Sequence, residues 1–245
     1  MRHFGRSLRR KQSRLRSNLR NRTTLGHTSC HVEPLEVRAL LAINTIYAVN
    51  TGGPEVIAPD STVWEEDSTA VPSIYSNQST AGSLTFTTGN PIDTSAIAAE
   101  IPPSIFSSER YGVGGVPMEW DFPVTAGNYE VRLYFSENYD GNWAVGARMF
   151  DVTIEGQLVL DNYDVFAQAG AETGIMESFI VSSDANLDID FGSVAENPAI
   201  KGIEILEIIE PSVLNSSATA LGCGDVLIDQ TDDQQITLTN LGGVG

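Results

Sequence analysis

The sequence predicts an all-β protein, an antiparallel β-sandwich of the jelly-roll type. The first observation is a period of two: in "YEVRLYFS", which begins at Tyr129, one set of apolar residues recurs at every second position. The same alternation in "MFDVTIEG" and "NLDIDFG" places one strand face on a core and the other in water. The second is a series of Gly, Asn and Pro turns such as "TAGN", "DGN" and "ENPA". The third is the lack of a long amphipathic helical pattern, so short strands joined by turns indicate an antiparallel sandwich or barrel.

Residues 1–45 are predicted to be a basic export leader without folded structure. The run "RSLRRKQSRLRSNLRNR" is too basic to begin a core, and a short apolar stretch, "LLAI", follows it. A positive region before an apolar one is the charge order of a targeting segment, and this apolar run is too short to span a membrane. "LEVRALLA" resembles the Leu-Glu-x-Arg-x-Leu-Leu leader of large exported bacterial proteins, which implies a secreted or cell-surface location. An RNA-binding arm is the alternative for the basic run.

The charge and the placement of titratable residues exclude several function classes for the remainder of the chain. Residues 1–41 hold ten of the 14 Lys and Arg residues, which leaves 4 basic against 30 acidic residues beyond them. Such a body repels nucleic acid and anionic membranes. All three histidines lie in the first 31 residues, so the body has no Ser-His-Asp triad and no His-ligated zinc. The cysteines, Cys30 and Cys223, cannot form a disulfide within residues 46–209.

Residues 46–209 resemble a malectin domain. The segments that carry the resemblance, in the family's order, are "YAVNTGGP", "SERYG", "YEVRLYFSENY", "RMFDVTIEGQLVLDNYDVFAQAG" and "FGSVAENPAIKGIEI". The resemblance implies a β-sandwich lectin whose eukaryotic members bind short glucose-containing oligosaccharides. It also implies carbohydrate as the partner, with no catalysis and no cofactor.

Tyr111 and Tyr139 are the first candidates for ligand contacts. Sugars are bound by aromatic rings that cover their C–H faces and by polar groups that reach their hydroxyls. Tyr111 precedes three glycines within four residues, which favours a flexible loop over core packing, although core packing is the alternative. The resemblance implies a ligand-stacking tyrosine at Tyr111 and a ligand aromatic at Tyr139. Glu109 and Arg110 are expected to brace the Tyr111 loop, by pairing with each other or with backbone carbonyls.

Four further candidates come from positions where this chain matches the family loosely or departs from it. After Tyr139 the animal members carry a second aromatic, whereas this chain has Asp140, a hydroxyl acceptor. Trp143 either restores the lost ring surface or covers the end of the sandwich. Glu196 stands where the family has a ligand-bonding aspartate, and it is either a ligand group or a solvated turn carboxylate. Tyr75 matches another family tyrosine in a loosely aligned stretch.

Two acidic patterns are not interpreted as sites. "DANLDID" offers oxygens at every second position, but it lacks the glycine and the terminal glutamate of an EF-hand loop. Paired carboxylates could serve a glycoside hydrolase, yet no spacing in the sequence singles out a pair. We therefore expect no metal site and no enzymatic activity.

Residues 210–245 are predicted to be a linker and the start of another module. Pro211 follows an apolar strand, and "QQITLTNLGG" then resembles the opening strands of an immunoglobulin-like module of large bacterial surface proteins. The 36 residues are too few for a domain of about 100 residues, so this is either part of a longer protein, which we favour, or a disordered tail. The predicted function is non-catalytic carbohydrate binding. The alternatives are a structural or protein-binding adhesin domain and, less favoured, a glycoside hydrolase.

Overall fold

The computed structural model describes residues 42–77, 82–114, 117–209, 214–216 and 237–240. The strands are β1 (Ala42–Thr51), β2 (Val56–Ile57), β3 (Val63–Asp67), β4 (Ser83–Thr87), β5 (Ser108–Gly112), β6 (Met118–Pro123), β7 (Gly127–Phe135), β8 (Met149–Ile154), β9 (Gln157–Tyr163), β10 (Ile175–Ser183), β11 (Asn186–Ala195), β12 (Ala199–Ile200), β13 (Gly202–Ile209), β14 (Leu214–Ser216) and β15 (Leu238–Asn240). The helical segments are two 3-10 turns, Pro103–Ser107 and Asp140–Asn142, and one short helix, α1 (Val165–Ala169). The predicted all-β fold is confirmed.

Two sheets form the sandwich. The larger has six strands in the order β10-β7-β13-β1-β3-β2, and the smaller has four in the order β6-β11-β8-β9. Every pairing in these sheets is antiparallel except that of β1 with β3, where Val49–Thr51 runs parallel to Glu65–Asp67. The predicted antiparallel sandwich therefore contains one parallel pair.

Side chains from both sheets interdigitate in one core. In β7 the residues from Tyr129 to Phe135 that recur at every second position are at most 1% exposed, as their alternation predicts. The matching inward residues are Phe150, Val152 and Ile154 of β8 and Leu187, Ile189 and Phe191 of β11, and all six are fully buried. Because each such burial contributes about 1.5–3 kcal/mol, this interface is a major source of the stability of the fold.

A third sheet, of three strands in the order β12-β5-β4, lies beside the sandwich. Its central strand β5 is the "SERYG" segment, and four of the five residues are buried. The predicted flexible loop at Tyr111 is therefore wrong, because β5 pairs along its length with β4 and also with β12. The turn at Gly52 packs directly on this strand: a Cβ there would lie 2.1 Å from the carbonyl oxygen of Glu109, and Gly52 has a φ of +75°.

The remaining described strands, β14 and β15, pair with each other over three residues each. They belong to a compact unit separate from the larger one, which includes Arg38–Ser212. The predicted leader lies outside the described residues apart from its last four, which begin β1. Among the residues that the structure describes, no helix is long and apolar enough to cross a membrane.

Candidate ligand-binding site

An open cavity of about 400 Å³ lies where the three-stranded sheet meets the loops after β7 and β11. Its lining residues are Phe86, Glu109, Tyr111, Val113, Tyr139, Arg148, Glu196 and Asn197. Five separate segments contribute to it. The structure thus brings the sequence candidates Tyr111, Tyr139 and Glu196 to one cavity although they are far apart in the chain.

The first wall of the cavity is one face of β4 and β5. The strand register places Phe86 opposite Glu109 and Leu84 opposite Tyr111. Directly opposed residues share a face, and so do residues two apart on one strand. Phe86, Glu109 and Tyr111 are therefore presented together, while Arg110 between them points to the other face.

The second wall is Tyr139, which follows β7 and is 47% exposed. Its ring lies against Gly141, where a Cβ would sit 2.5 Å from the ring carbon Cε1. The ring meets Phe86 edge-to-face, with centroids 6.2 Å apart and an interplanar angle of 80°. The Tyr139 backbone N–H donates to Glu137 Oε1 over 3.0 Å. These contacts hold one ring beside another at the cavity.

Glu196 and Asn197 supply polar groups at the rim. Glu196 is exposed in the turn between β11 and β12, with a left-handed φ of 58°. The Asn197 amide donates to Glu196 Oε1 over 3.0 Å. This arrangement leaves carboxylate and amide oxygens available as acceptors for hydroxyl groups.

Two of the lining residues, Glu109 and Arg148, belong to a group of four buried charges that balance one another. Glu109 pairs with Lys201, and its Oε1 lies 3.5 Å from Arg148 Nη1. Arg148 Nε lies 3.2 Å from Glu137 Oε2. Burial raises the pKa of Glu137, although Arg148 opposes the rise, and burial lowers the pKa of Lys201 against the pull of Glu109. Charges this deep persist only when each has a partner, so these four side chains depend on one another.

The expected pairing of Glu109 with Arg110 is wrong. Neighbouring residues of a strand point to opposite faces, and Arg110 instead forms a fork with Asp67, Nε to Oδ2 at 2.6 Å and Nη2 to Oδ1 at 2.7 Å. Arg110 Nη2 also donates to the backbone carbonyl of Asp67 over 2.9 Å. Both side chains are at most 1% exposed. Glu109 and Arg110 therefore hold β5 from its two opposite faces. Of the expected contacts, the hydrogen bond from Arg110 to a backbone carbonyl is present.

Three sequence candidates do not line the cavity. Tyr75 packs on the sandwich core, with its ring stacked on Phe122 at 4.9 Å and meeting Tyr47 edge-on at 5.1 Å. The ligand role predicted for Tyr75 is corrected at this cavity, because its half-buried ring packs against the sandwich core and is not among the lining residues. Asp140 begins the 3-10 turn after Tyr139 and is exposed, and Trp143, at the C-terminal end of that turn, is 40% exposed. Neither residue is among those that line the cavity.

The lining residues that sequence reasoning did not single out are Phe86, Val113, Arg148 and Asn197. A signal existed for Arg148, one of only four basic residues beyond position 41. Phe86 alternates with Leu84 in "SLTFT", but alternation alone does not tell which face meets a ligand. No group of three or more His, Cys, Asp or Glu side chains within the described part of the chain is placed to hold a metal ion.

The fold is similar to that of several solved proteins. The ANX2 ectodomain from Arabidopsis thaliana matches at a TM-score of 0.59 and 17% identity, over 68% of this chain and 50% of that chain. A chain in the structure of the plant peptide RALF23 in complex with FER and LLG2 matches at a TM-score of 0.60 and 18% identity, over 69% of this chain and 50% of that chain. A β-glucuronidase from Bacteroides uniformis matches at a TM-score of 0.53 and 20% identity, over 66% of this chain and 18% of that chain. The chain thus spans about half the length of the plant proteins, and the likeness shows the fold.

Sequence comparison gives the family. No curated protein matches the chain. The malectin domain family matches residues 45–203, which is nearly the span over which "SERYG" and the other segments resemble it. This match covers well over half of the chain and agrees with the sandwich that the structure shows. The chain belongs to the malectin domain family.

Proposed function

We propose that the protein binds carbohydrate without catalysis, and that a short glucose-type oligosaccharide occupies the cavity. The observation that carries the proposal is the meeting of three aromatic rings, Phe86, Tyr111 and Tyr139, from separate segments around one open cavity. Rings cover the apolar faces of a sugar, and tyrosine adds a polar tip. Glu196 and Asn197 at the rim then accept hydrogen bonds from hydroxyl groups.

The state of the lining carboxylates supports binding over hydrolysis. A glycoside hydrolase places two carboxyl groups on either side of the scissile bond. Of the two glutamates that line the cavity in the described residues, Glu109 is held by Lys201 and Arg148. Only Glu196 is open to a ligand, so the site lacks the second working carboxylate.

The protein is proposed to act outside a bacterial cell. The basic leader with its "LEVRALLA" segment supports export, and the resemblance of residues 210–245 to an immunoglobulin-like module supports a place in a longer surface protein. A single open site of this size fits dissociation constants of about 1 μM to 1 mM, roughly −8 to −4 kcal/mol. Repetition on a surface would raise the effective affinity.

A glycan array probed with the full chain tests the proposal. The wild type is expected to bind glucose-containing oligosaccharides, and Tyr111→Ala and Tyr139→Ala are each expected to abolish the signal because each removes one ring surface. Trp143→Ala is the matched control, since it removes an exposed ring outside the cavity and should leave binding intact. Circular dichroism checks that each variant is folded. Binding that survives in both tyrosine variants would refute this site.

The second candidate is a protein-binding or spacer domain. One chain of similar fold was solved in a complex with a plant peptide, and Asp140 stands where the animal members of the family carry a second aromatic residue. This candidate predicts a folded wild-type protein with no signal on a broad glycan array. Reducing sugar released from α- or β-glucans over a long incubation would instead favour a hydrolase.

A further inference from the structure

We infer that Arg148 is a positioning residue for the cavity, and that its guanidinium joins the wall that carries Tyr111 to the wall that carries Tyr139. The binding part of this inference rests on the proposed function. The structural part stands without it, because it concerns the placement of a ring in the ligand-free protein.

Arg148 reaches one carboxylate from each wall. Its Nη1 lies 3.5 Å from Glu109 Oε1, and Glu109 is two residues before Tyr111 on the same face of β5. Its Nε lies 3.2 Å from Glu137 Oε2, and the other oxygen of Glu137 accepts the N–H of Tyr139 over 3.0 Å. Arg148 is therefore connected to Tyr111 through Glu109 and to Tyr139 through Glu137.

A third contact ties Arg148 to the far side of Tyr139. With its amide oxygen turned toward Arg148, Asn142 accepts from Nη2 over 3.0 Å and from Nε over 2.9 Å. Asn142 is the last residue of the 3-10 turn that follows Tyr139. Glu137 before Tyr139 and Asn142 after it therefore both contact the planar guanidinium group of Arg148. A lysine carries the same charge but lacks the rigid fork that meets several acceptors at once.

Positioning describes Arg148 better than direct ligand contact. Arg148 is only 7% exposed, and its Nε and both terminal nitrogens lie within reach of Glu109, Glu137 and Asn142. Without Arg148, the carboxylates of Glu109 and Glu137 would be left buried with Lys201 as the neighbouring cation. Like charges in a buried site repel strongly, so we expect the two walls to move apart.

The link is also expected to depend on pH. The charged groups facing Glu137 are Arg148, Glu109 and Lys201, and the N–H of Tyr139 donates to it. Burial holds the pKa of Glu137 above its ordinary value. Glu137 is charged and paired above that raised pKa and loses its charge as the pH falls through it. The walls should therefore loosen at a higher pH than an ordinary glutamate would allow.

Fluorine NMR on the ligand-free full chain tests the structural part. With 3-fluorotyrosine at position 139, Arg148→Met is expected to shift and broaden the resonance, and Arg148→Lys to restore it partly. Arg132→Met is the matched control, since Arg132 pairs with Glu130 and Glu204 away from the cavity. An unchanged Tyr139 resonance in folded Arg148→Met would overturn the inference.

Glu137→Gln gives a second route if Arg148→Met does not fold. This variant keeps an oxygen acceptor for the Tyr139 N–H and removes the titrating charge. The wild-type Tyr139 resonance should move as the pH is lowered, and the movement should vanish in Glu137→Gln. A movement that persists unchanged in the variant would contradict the role of the Arg148–Glu137 pair.

Calorimetric titration with maltotetraose and cellotetraose tests the binding part. Arg148→Met is expected to weaken the affinity of the oligosaccharide that the wild type binds by about tenfold, as couplings between contacting residues allow. In a Tyr139→Ala background the same change should cost less than about twofold, because the ring it positions is gone. Additive losses would refute positioning. A wild type that binds neither oligosaccharide would count against the proposed function and leave the fluorine result standing.

Discussion

Tyr139 faces the cavity because its neighbours on several sides leave the ring little freedom. Gly141 lies under the ring, Phe86 meets its edge, and Glu137 holds its backbone N–H. None of these contacts is an apolar core contact, so Tyr139 stays 47% exposed while the direction of its ring is fixed. A ring fixed before the ligand arrives loses less conformational freedom on binding.

Gly141→Ala should therefore weaken ligand binding without unfolding the protein. The added Cβ would lie 2.5 Å from the Tyr139 ring, so the ring must turn away from its present position. We expect a loss of affinity of about tenfold, equivalent to about 1.4 kcal/mol, measured by titration calorimetry with the oligosaccharide selected on the array. Gly89→Ala is the control, because a Cβ there meets no atom within 4 Å. Equal affinities for Gly141→Ala and wild type would show that the ring is not held as described.

Sequence reasoning found some of these residues and not others for a physical reason. Tyr111, Tyr139 and Glu196 were found because the family resemblance marks single positions. The partners of Arg148 lie 11 and 39 residues before it, at Glu137 and Glu109. Nothing in the chain's local pattern shows which charges will meet inside the fold. The misplacement of Tyr75 has the same origin, since a loose alignment does not reveal a ring stacked on Phe122.

Among the elements, the strands with clean alternation were predictable and β5 was not. β7, β8 and β11 bury every second residue against one core, and a period of two shows that directly. β5 instead buries two adjacent charged residues, one on each face of the strand, because each has an oppositely charged partner. Glu109 pairs with Lys201, and Arg110 pairs with Asp67. Two adjacent charged residues followed by glycines are typical of a loop, and the sequence alone does not show that Lys201 and Asp67 will pair with them.

The pairing of β6 with β11 sets like charges opposite each other on the outer face. Asp121 is the cross-strand neighbour of Asp188, and Glu119 is that of Asp190. The pKa of Asp188 is raised, first by partial burial and second by the neighbouring carboxylate of Asp121. Like charges directly opposite are destabilising in a sheet, so this face costs stability at neutral pH.

Asp188→Asn should accordingly stabilise the protein at neutral pH, by up to about 1 kcal/mol. The folded-state pKa of Asp188 lies above its ordinary value of 3.8, so the folded state binds the proton more tightly than the unfolded state. The wild type therefore loses stability as the pH rises through this window, and the advantage of the variant should shrink near pH 4. Urea unfolding at about pH 7 and pH 4 measures both values.

Asp184→Asn is the matched control for this pair. It removes one carboxylate from the turn before β11, which is outside the Asp121–Asp188 pair. Its effect on the free energy of unfolding should be small and nearly the same at the two pH values. An advantage of Asp188→Asn that is equal at both would show that charge repulsion is not its cause.

Across the whole molecule, the charges are sorted by depth. The basic residues beyond position 41 are Arg110, Arg132, Arg148 and Lys201. All four pair with carboxylates, and three of them are at most 7% exposed. Of the 25 acidic residues between positions 42 and 209, 20 are exposed or partly exposed. They give the surface of the domain one dominant sign, and such self-repulsion opposes the compact state.

Added salt should raise the stability of the protein. Screening weakens the repulsion between exposed carboxylates within a Debye length, about 30 Å at 0.01 M and 3 Å at 1 M. We expect Tm to rise by about 2–4 °C, near 1 kcal/mol for a chain of this size, when NaCl goes from about 0.01 M to 0.5 M. KCl at equal concentration should give the same shift, since screening depends on ionic strength. A fall in Tm would mean that the ion pairs outweigh the surface repulsion.

The depth of the four cations also bears on proteolysis. Trypsin cuts after Lys and Arg in segments that can extend into its active site, and such segments are exposed and weakly bonded. Beyond position 41 the chain offers trypsin only bonds inside β5 and β7, or next to the buried side chains of Arg148 and Lys201. The ten basic residues of positions 1–41 are the cleavage sites that remain. Limited trypsin digestion is therefore expected to leave residues 42–209 uncut.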